Sequence, residues 1–109
     1  MTPHVQDVVI TGHDRGDIGL LVFLTEPARK LAPEVMVEHV RRALQAMQAE
    51  AAGSSQTPVR ALLLPDAPSA AAGEITDKGY INQRLVLARR AAEVELLYSN
   101  AADGRIVLA

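Results

Sequence analysis

Residues able to bind phosphates or carboxylates are concentrated in one short segment of the sequence. It runs from Gly73 to Arg84 and reads Gly-Glu-Ile-Thr-Asp-Lys-Gly-Tyr-Ile-Asn-Gln-Arg. Lys78 lies within it, and Lys30 is the only other lysine of the chain. A lysine on a loop is a mobile point charge with three donors, well suited to contact a phosphate or carboxylate oxygen. The segment therefore predicts an anion-contacting loop centred on Lys78.

The same residues also have simpler interpretations. Lys78, taken without further context, is typical of a solvated loop lysine. Thr76 and Asp77 carry side chains preferred at helix N-caps, and we expect them to cap the helix that follows. Glu74 is expected to be solvated. Arg84 either contacts a phosphate or another domain, or is an ordinary exposed arginine on a helix.

The composition argues against several other classes of site. The net charge is −2, aromatic residues make up 3%, and basic residues form no run longer than a pair, so no nucleic-acid interface is predicted. The absence of cysteine excludes disulfides, thiol catalysis and cysteine zinc sites. The three histidines lack i, i+4 spacing, so no metal site is expected. No signal peptide is visible and no apolar run approaches the roughly 20 residues that span a bilayer, which predicts a cytoplasmic protein without membrane contact.

Strand-like segments lie on both sides of the polar segment. Val5–Thr11 and Ile18–Leu24 are apolar runs around a polar turn, and they predict an antiparallel hairpin. Val59–Leu64 is a third strand candidate, and Arg105–Leu108 is a short β-like segment. Because the hairpin strands are almost continuously apolar, we expect them to be buried on both faces and covered by helices.

Two long helices are predicted. Pro33 suits the first helical position, and apolar residues then recur at spacings of three and four. The members of this apolar face are Val37, Val40, Leu44, Met47 and Ala51. The second helix is predicted over Tyr80–Tyr98, after a flexible small-residue linker at Asp66–Gly73. The pairs Arg41-Arg42 and Arg89-Arg90 are expected to be solvated, and Met36 and Met47 to fill the core.

The order of these elements predicts the fold class. Residues 1–109 are long enough for one core, and the order strand, strand, helix, strand, helix is typical of a small α+β domain. We expect a three-stranded sheet, made of the N-terminal hairpin and one further strand, covered by two main helices.

Two stretches of the chain resemble a known family. Residues 73–84, with the following Val-Leu-Ala-Arg-Arg-Ala-Ala at 86–92, resemble the C-terminal segment of feruloyl-CoA synthases, which belong to the acyl-adenylate-forming superfamily. Residues 5–15 and 18–23 resemble the hairpin that opens the small domain of these enzymes. The resemblance implies the C-terminal lid domain of an acyl-CoA synthetase that begins just after the hinge. The large ATP-binding N-terminal domain would be absent from this chain.

The resemblance also implies a two-step reaction. A carboxylic acid, here a hydroxycinnamate such as ferulate, attacks ATP to form an acyl-adenylate, and the thiol of CoA then displaces AMP. ATP, Mg²⁺ and CoA would serve the full-length enzyme, and we expect this fragment alone to bind none of them and to be inactive. In the family a lysine of the small domain neutralises charge during adenylation.

The resemblance carries the role of the catalytic lysine to Lys78. Aligning the family's Gly-Lys-Ile on Gly79-Tyr80-Ile81 would instead place Tyr80 there, and both alternatives stay open. The residues expected near the substrate or phosphate are Gly73, Glu74, Thr76, Asp77, Gly79, Tyr80 and Arg84. Two competing hypotheses are a stand-alone α+β interaction or regulatory module without catalysis, and a degenerate lid that acts as a scaffold.

Overall fold

A mixed sheet of four strands lies at the centre of the computed structural model, which describes residues 5–12, 18–50, 57–64, 66–99 and 105–108. The strands are β1 (Val5–Ile10), β2 (Ile18–Leu24), β3 (Pro58–Leu64) and β4 (Ile106–Leu108), and they are adjacent in this order. Strand β2 pairs antiparallel with β1 and parallel with β3, and β4 pairs antiparallel with β3. The α+β class and the N-terminal hairpin are therefore confirmed.

The predicted number of strands was one too low. Residues Ile106–Leu108 complete the sheet by pairing with Arg60–Leu62 at the edge of β3. The segment predicted as β-like at Arg105–Leu108 is therefore a strand over its last three residues, and it forms because β3 offers it a free edge. The turn residues 13–17, including His13 and Asp14, lie outside the described residues.

Helices pack on both faces of the sheet, as the continuous apolar strands predicted. They are α1 (Glu26–Arg29), α2 (Pro33–Glu50), α3 (Gln83–Arg89) and α4 (Ala91–Leu97). Successive residues of a strand point to opposite faces, so β2 and β3 each supply two sets of core residues. The α2 side consists of Leu20, Val22, Leu24, Ala28, Met36, Val40, Leu44, Ala61, Leu63 and Val107. The α3 and α4 side consists of Val9, Leu21, Phe23, Leu62, Leu64, Val86 and Leu97.

Helix α2 follows the prediction over most of its length. Pro33 is its first residue, and Met36, Val40 and Leu44 are buried. Met47 was predicted in the core but is 40% exposed, because it lies beyond the closely packed part of α2 and lines an apolar cavity beside β1. Ala51 lies outside the described residues.

The single long helix predicted for residues 80–98 is two shorter ones. Helix α3 begins only at Gln83, and Arg90 separates it from α4 with a non-helical ψ of 33°. The backbone nitrogen of Arg90 still bonds to the carbonyl of Val86, so the break is a local distortion. None of the described helices is both long enough and apolar enough to cross a membrane.

Candidate functional site

Lys78 lies at the tip of a small hairpin formed by residues 75–81, the Lys78 hairpin. Its base is an antiparallel bridge between Ile75 and Ile81. The backbone nitrogen of Gly79 bonds to the carbonyl of Thr76 at 2.9 Å. Gly79 has a positive φ of 84°, which glycine adopts without the steric cost that a side chain brings. This arrangement matches a three-residue hairpin loop that ends on a left-handed glycine.

Thr76 closes this loop and does not cap a helix. Its backbone nitrogen donates to the carbonyl of Tyr80 at 2.8 Å, and its Oγ1 accepts a hydrogen bond from the Tyr80 nitrogen at 3.1 Å. The N-cap of α3 is Asn82, whose Oδ1 accepts from the backbone nitrogen of Leu85 at 3.2 Å. The predicted capping role of Thr76 and Asp77 was wrong because the hairpin lies between them and the helix.

The hairpin presents its side chains to solvent. Asp77, Lys78 and Gly79 are exposed, and Tyr80 is 70% exposed. Within the described part of the chain, Lys78 forms no ion pair. The lysine charge is therefore available to an anion from outside the domain.

Glu74, just before the hairpin, is fully buried, although the sequence predicted a solvated side chain. Its Oε2 lies 2.8 Å from Nε of Arg90 and 2.9 Å from Nη1 of Arg89. Its Oε1 lies 3.1 Å from Nη2 of Arg90 and accepts the backbone nitrogen of Ser69 at 2.7 Å. The carboxylate thus receives three hydrogen bonds and one further ion-pair contact from Arg89, which explains how a charged group tolerates complete burial.

Arg90 is also buried, contrary to the predicted solvated pair Arg89-Arg90. It donates to both carboxylate oxygens of Asp66 at 3.1 and 2.9 Å, and its guanidinium carbon lies 4.9 Å from the ring centroid of Phe23. Arg89 remains partly exposed and contacts Glu74 from the solvent side. We call the side chains of Asp66, Glu74, Arg89 and Arg90 the ion-pair clasp.

The charges of the clasp stabilise one another. Hydrogen bonds from Arg90 lower the pKa of Glu74 to about 2, against the opposing effect of burial. Hydrogen bonds from Arg90 likewise lower the pKa of Asp66, and the two carboxylates raise the pKa of Arg90. Asp66, Glu74 and Arg90 are therefore charged at neutral pH.

The backbone around Glu74 is held as firmly as its side chain. The Glu74 nitrogen donates to the carbonyl of Ser69 at 2.9 Å, and its carbonyl accepts from Asn82 at 2.8 Å. Gly73 has a φ of 88°, and a Cβ there would lie 3.1 Å from Leu85. The segment predicted as a flexible linker is thus joined by hydrogen bonds to the base of the hairpin.

The predicted site residues fall into three groups. Thr76, Asp77, Lys78, Gly79 and Tyr80 belong to the hairpin, Gly73 and Glu74 immediately precede it, and Arg84 is exposed in the first turn of α3. Sequence reasoning missed Arg90, Asp66, Ser69 and Asn82. A signal for Arg90 existed, because it follows the buried Val86 by one helical repeat and so lies on the buried side of the helix.

The described residues contain no group of three or more histidine, aspartate or glutamate side chains placed to hold a metal ion. His39 lies on α2, on the other side of the sheet from the Lys78 hairpin. His4 and His13 lie outside the described residues.

Comparison with known proteins gives one family. The sequence model of the AMP-binding enzyme C-terminal domain matches residues 1–102. A solved structure, the A-PCP didomain of carboxylic acid reductase from Segniliparus rugosus in complex with AMP, superposes with a TM-score of 0.69 at 21% identity. The match covers 91% of this chain but only 14% of that one, and at this identity it shows the fold alone. No curated protein matches the chain significantly.

Proposed function

Since the chain belongs to the AMP-binding enzyme C-terminal domain family, we propose that it is the lid of an ATP-dependent acyl-CoA synthetase in which Lys78 assists adenylation. The observation that carries the proposal is the exposed Lys78 at the tip of an anchored hairpin, with no ion-pair partner in the described residues. Residues 1–109 would act as one domain against a large ATP-binding domain.

The chemistry explains why a lysine is needed. A carboxylate oxygen of the acid attacks the α-phosphorus of ATP, a new P–O bond forms, and the bond to pyrophosphate breaks. The carboxylate and the phosphates are all negative, so they repel each other as they approach. The ammonium group of Lys78, brought in by closure of the lid, would neutralise the charge that develops in the transition state.

The second step requires the lid to move. The thiol of CoA attacks the carbonyl carbon of the acyl-adenylate, forms the thioester and releases AMP. Lys78 has no part in this step, so the lid can turn away and admit CoA. Mg²⁺ would accompany ATP, but the described residues offer no cluster to hold it.

The acid is proposed from the sequence motif at residues 73–84. Its resemblance to feruloyl-CoA synthases favours ferulate or another hydroxycinnamate. The acyl pocket would lie in the large domain, so this choice rests on the motif alone.

The position of Lys78 in the hairpin favours it over Tyr80 as the catalytic group. Lys78 occupies the tip of the loop, whereas Tyr80 closes the loop, because its backbone is bonded to Thr76. A cation at the tip can reach furthest from the domain, and a phenol cannot supply positive charge.

The test uses the full-length enzyme that carries this domain. We expect Lys78→Ala to lower pyrophosphate release with ferulate and ATP by about 100-fold or more, as removal of a transition-state contact does. Thioester formation from supplied feruloyl-adenylate should be kept. The matched control is Lys30→Ala, because Lys30 is an exposed lysine paired with Glu26. Unchanged pyrophosphate release in Lys78→Ala would rule out the catalytic role and favour a scaffold or a non-catalytic module.

A second measurement uses this chain alone. We expect it to release no pyrophosphate from ATP and ferulate, because in the proposed function the ATP site and the acyl pocket lie on the large domain. Turnover above a blank reaction would contradict the assignment of this chain as a lid.

A further inference from the structure

The two ends of the Lys78 hairpin meet at Glu74. The chain enters the hairpin from Glu74 and leaves it into Asn82, and the backbone of these two residues is bonded at 2.8 Å. Asn82 also caps α3. The direction in which the hairpin projects is therefore determined by how Glu74 and α3 are held to the rest of the domain.

The side chain of Glu74 connects the hairpin to the core. Its carboxylate bonds to Arg90 at the far end of α3, so α3 is tied to the hairpin base at both ends. Arg90 in turn lies over Phe23 of β2 and bonds to Asp66, which follows β3. The clasp thus joins the hairpin to the two central strands.

From this geometry we propose that Glu74 and Arg90 are positioning residues for Lys78. Their buried ion pair holds the hairpin in one orientation relative to the sheet, so that closure of the lid delivers the lysine to one place. The catalytic half of this proposal rests on the proposed function above, whereas the structural half does not depend on it.

Rigid support of the Lys78 hairpin matters because adenylation needs accurate placement of the lysine ammonium group. A catalytic group displaced by about 1 Å can lose about 100-fold in rate, and a site supported by rigid elements is placed more accurately than one on an unsupported loop. A hairpin closed by one β-bridge is a weak structure by itself. The clasp supplies the rigidity that the hairpin lacks.

The structural half is tested on this chain by amide hydrogen exchange. In Glu74→Gln and Arg90→Lys we expect the bonded amides of Thr76, Gly79 and Tyr80 to exchange at least about tenfold faster, while amides of β2 and β3 keep their protection. The matched control is Glu38→Gln, which removes a carboxylate that also bonds two arginines, but on the surface of α2.

A milder variant distinguishes local loosening of the hairpin from global unfolding. If the core amides of the Glu74 and Arg90 variants also lose protection, Asp66→Asn is compared instead, because the Asp66 side chain is 59% exposed and its loss leaves Glu74 paired. Faster exchange confined to the hairpin supports the clasp. Hairpin amides that exchange no faster relative to the core than in the wild type overturn it.

The catalytic half is tested in the full-length enzyme. We expect Arg90→Lys to lower kcat for pyrophosphate release at least about tenfold, with KM for ATP changed less than about twofold and thioester formation from supplied adenylate retained. Equal losses in both steps would indicate general damage and overturn the positioning role. Hairpin amides could exchange faster in the clasp variants while neither Lys78→Ala nor Arg90→Lys lowers pyrophosphate release. That result would support the structural role of the clasp and contradict the proposed function.

Discussion

Glu74 and Arg90 form a buried ion pair across 16 positions of the chain, with Oε2 of the carboxylate 2.8 Å from Nε of the guanidinium. Such a pair tolerates burial only when its remaining polar atoms are also bonded, since desolvation of each charge costs several kcal/mol. Ser69, Asp66 and Arg89 supply those bonds. The pair therefore depends on the whole segment between β3 and α4.

The first prediction concerns stability in acid. The pKa of Glu74 is about 2 in the folded state against 4.5 for a free glutamate, so the unfolded state binds the proton more readily. This stabilisation is fully present above about pH 4.5 and is lost as the pH falls toward 2, and it amounts to about 3 kcal/mol. Urea unfolding at a series of pH values measures it.

The control for the acid series is again Glu38. Arg41 lowers its pKa in the same direction, but the side chain is half exposed and water screens its ion pairs. Glu74→Gln should flatten the dependence of unfolding free energy on pH below 4.5, and Glu38→Gln should leave it nearly as in the wild type. If the unfolding free energies of the two variants depend equally on pH, the clasp is not the source of the acid sensitivity.

The second prediction concerns the tip of the hairpin. Gly79→Ala should destabilise the chain by about 1–2 kcal/mol, because the left-handed φ of 84° is costly for a residue with a Cβ. Apart from the glycine itself and its two chain neighbours, no atom lies within 4 Å of the added methyl, so the cost is conformational. Gly79→Asn should lose less stability than Gly79→Ala, since asparagine tolerates the left-handed backbone region. Urea unfolding distinguishes the two, and a neutral Gly79→Ala would contradict the assigned loop.

The third prediction tests close packing at Gly19. A Cβ there would lie 2.8 Å from a methyl of the buried Leu97 and 2.9 Å from Cγ of Arg60. Gly19→Ala should therefore cost about 1–3 kcal/mol by overpacking, although the φ of this residue is ordinary. If the double variant with Leu97→Val recovers part of the stability lost in Gly19→Ala, the clash is with Leu97. Purely additive losses of stability would argue against that clash.

The fourth prediction concerns the start of α3. Asn82→Ala removes the side-chain acceptor for the Leu85 nitrogen and should cost about 1 kcal/mol. Asn82→Asp keeps an acceptor and should stay near the wild type. Thermal unfolding followed by circular dichroism measures both, and an alanine variant as stable as the aspartate variant would refute the capping role.

Sequence patterns predicted the central elements of the fold because those elements are repetitive. Ile18–Leu24 is apolar throughout, and in the sheet its residues are divided between two helical layers. The α2 face follows helical spacing up to Leu44. Strand β4 was predicted only as a β-like segment and not as part of the sheet, since so short a segment does not indicate its partner, which lies far away in the chain.

The local structure around Lys78 was predicted only in part. Lys78 stood out by its type and its neighbours, and the structure does place it on an exposed loop. Glu74 was expected in solvent because isolated carboxylates usually are, and its burial depends on Arg90, which composition alone does not pair with it. The break at Arg90 likewise follows from a tertiary contact, not from a helix-breaking residue.

The parallel pairing of β2 with β3 has a consequence for the order of folding. Leu21 lies opposite Leu62, and the whole of α2 intervenes between them in the chain. Closing so long a loop precedes any gain from the pairing, so we expect it to limit the refolding rate. The Lys78 hairpin and most of its clasp come from one continuous stretch and add little to that barrier. Leu62→Ala should therefore slow refolding, whereas Asn82→Ala should mainly speed unfolding. The reverse result in stopped-flow kinetics would place the folding nucleus in the Lys78 hairpin and α3.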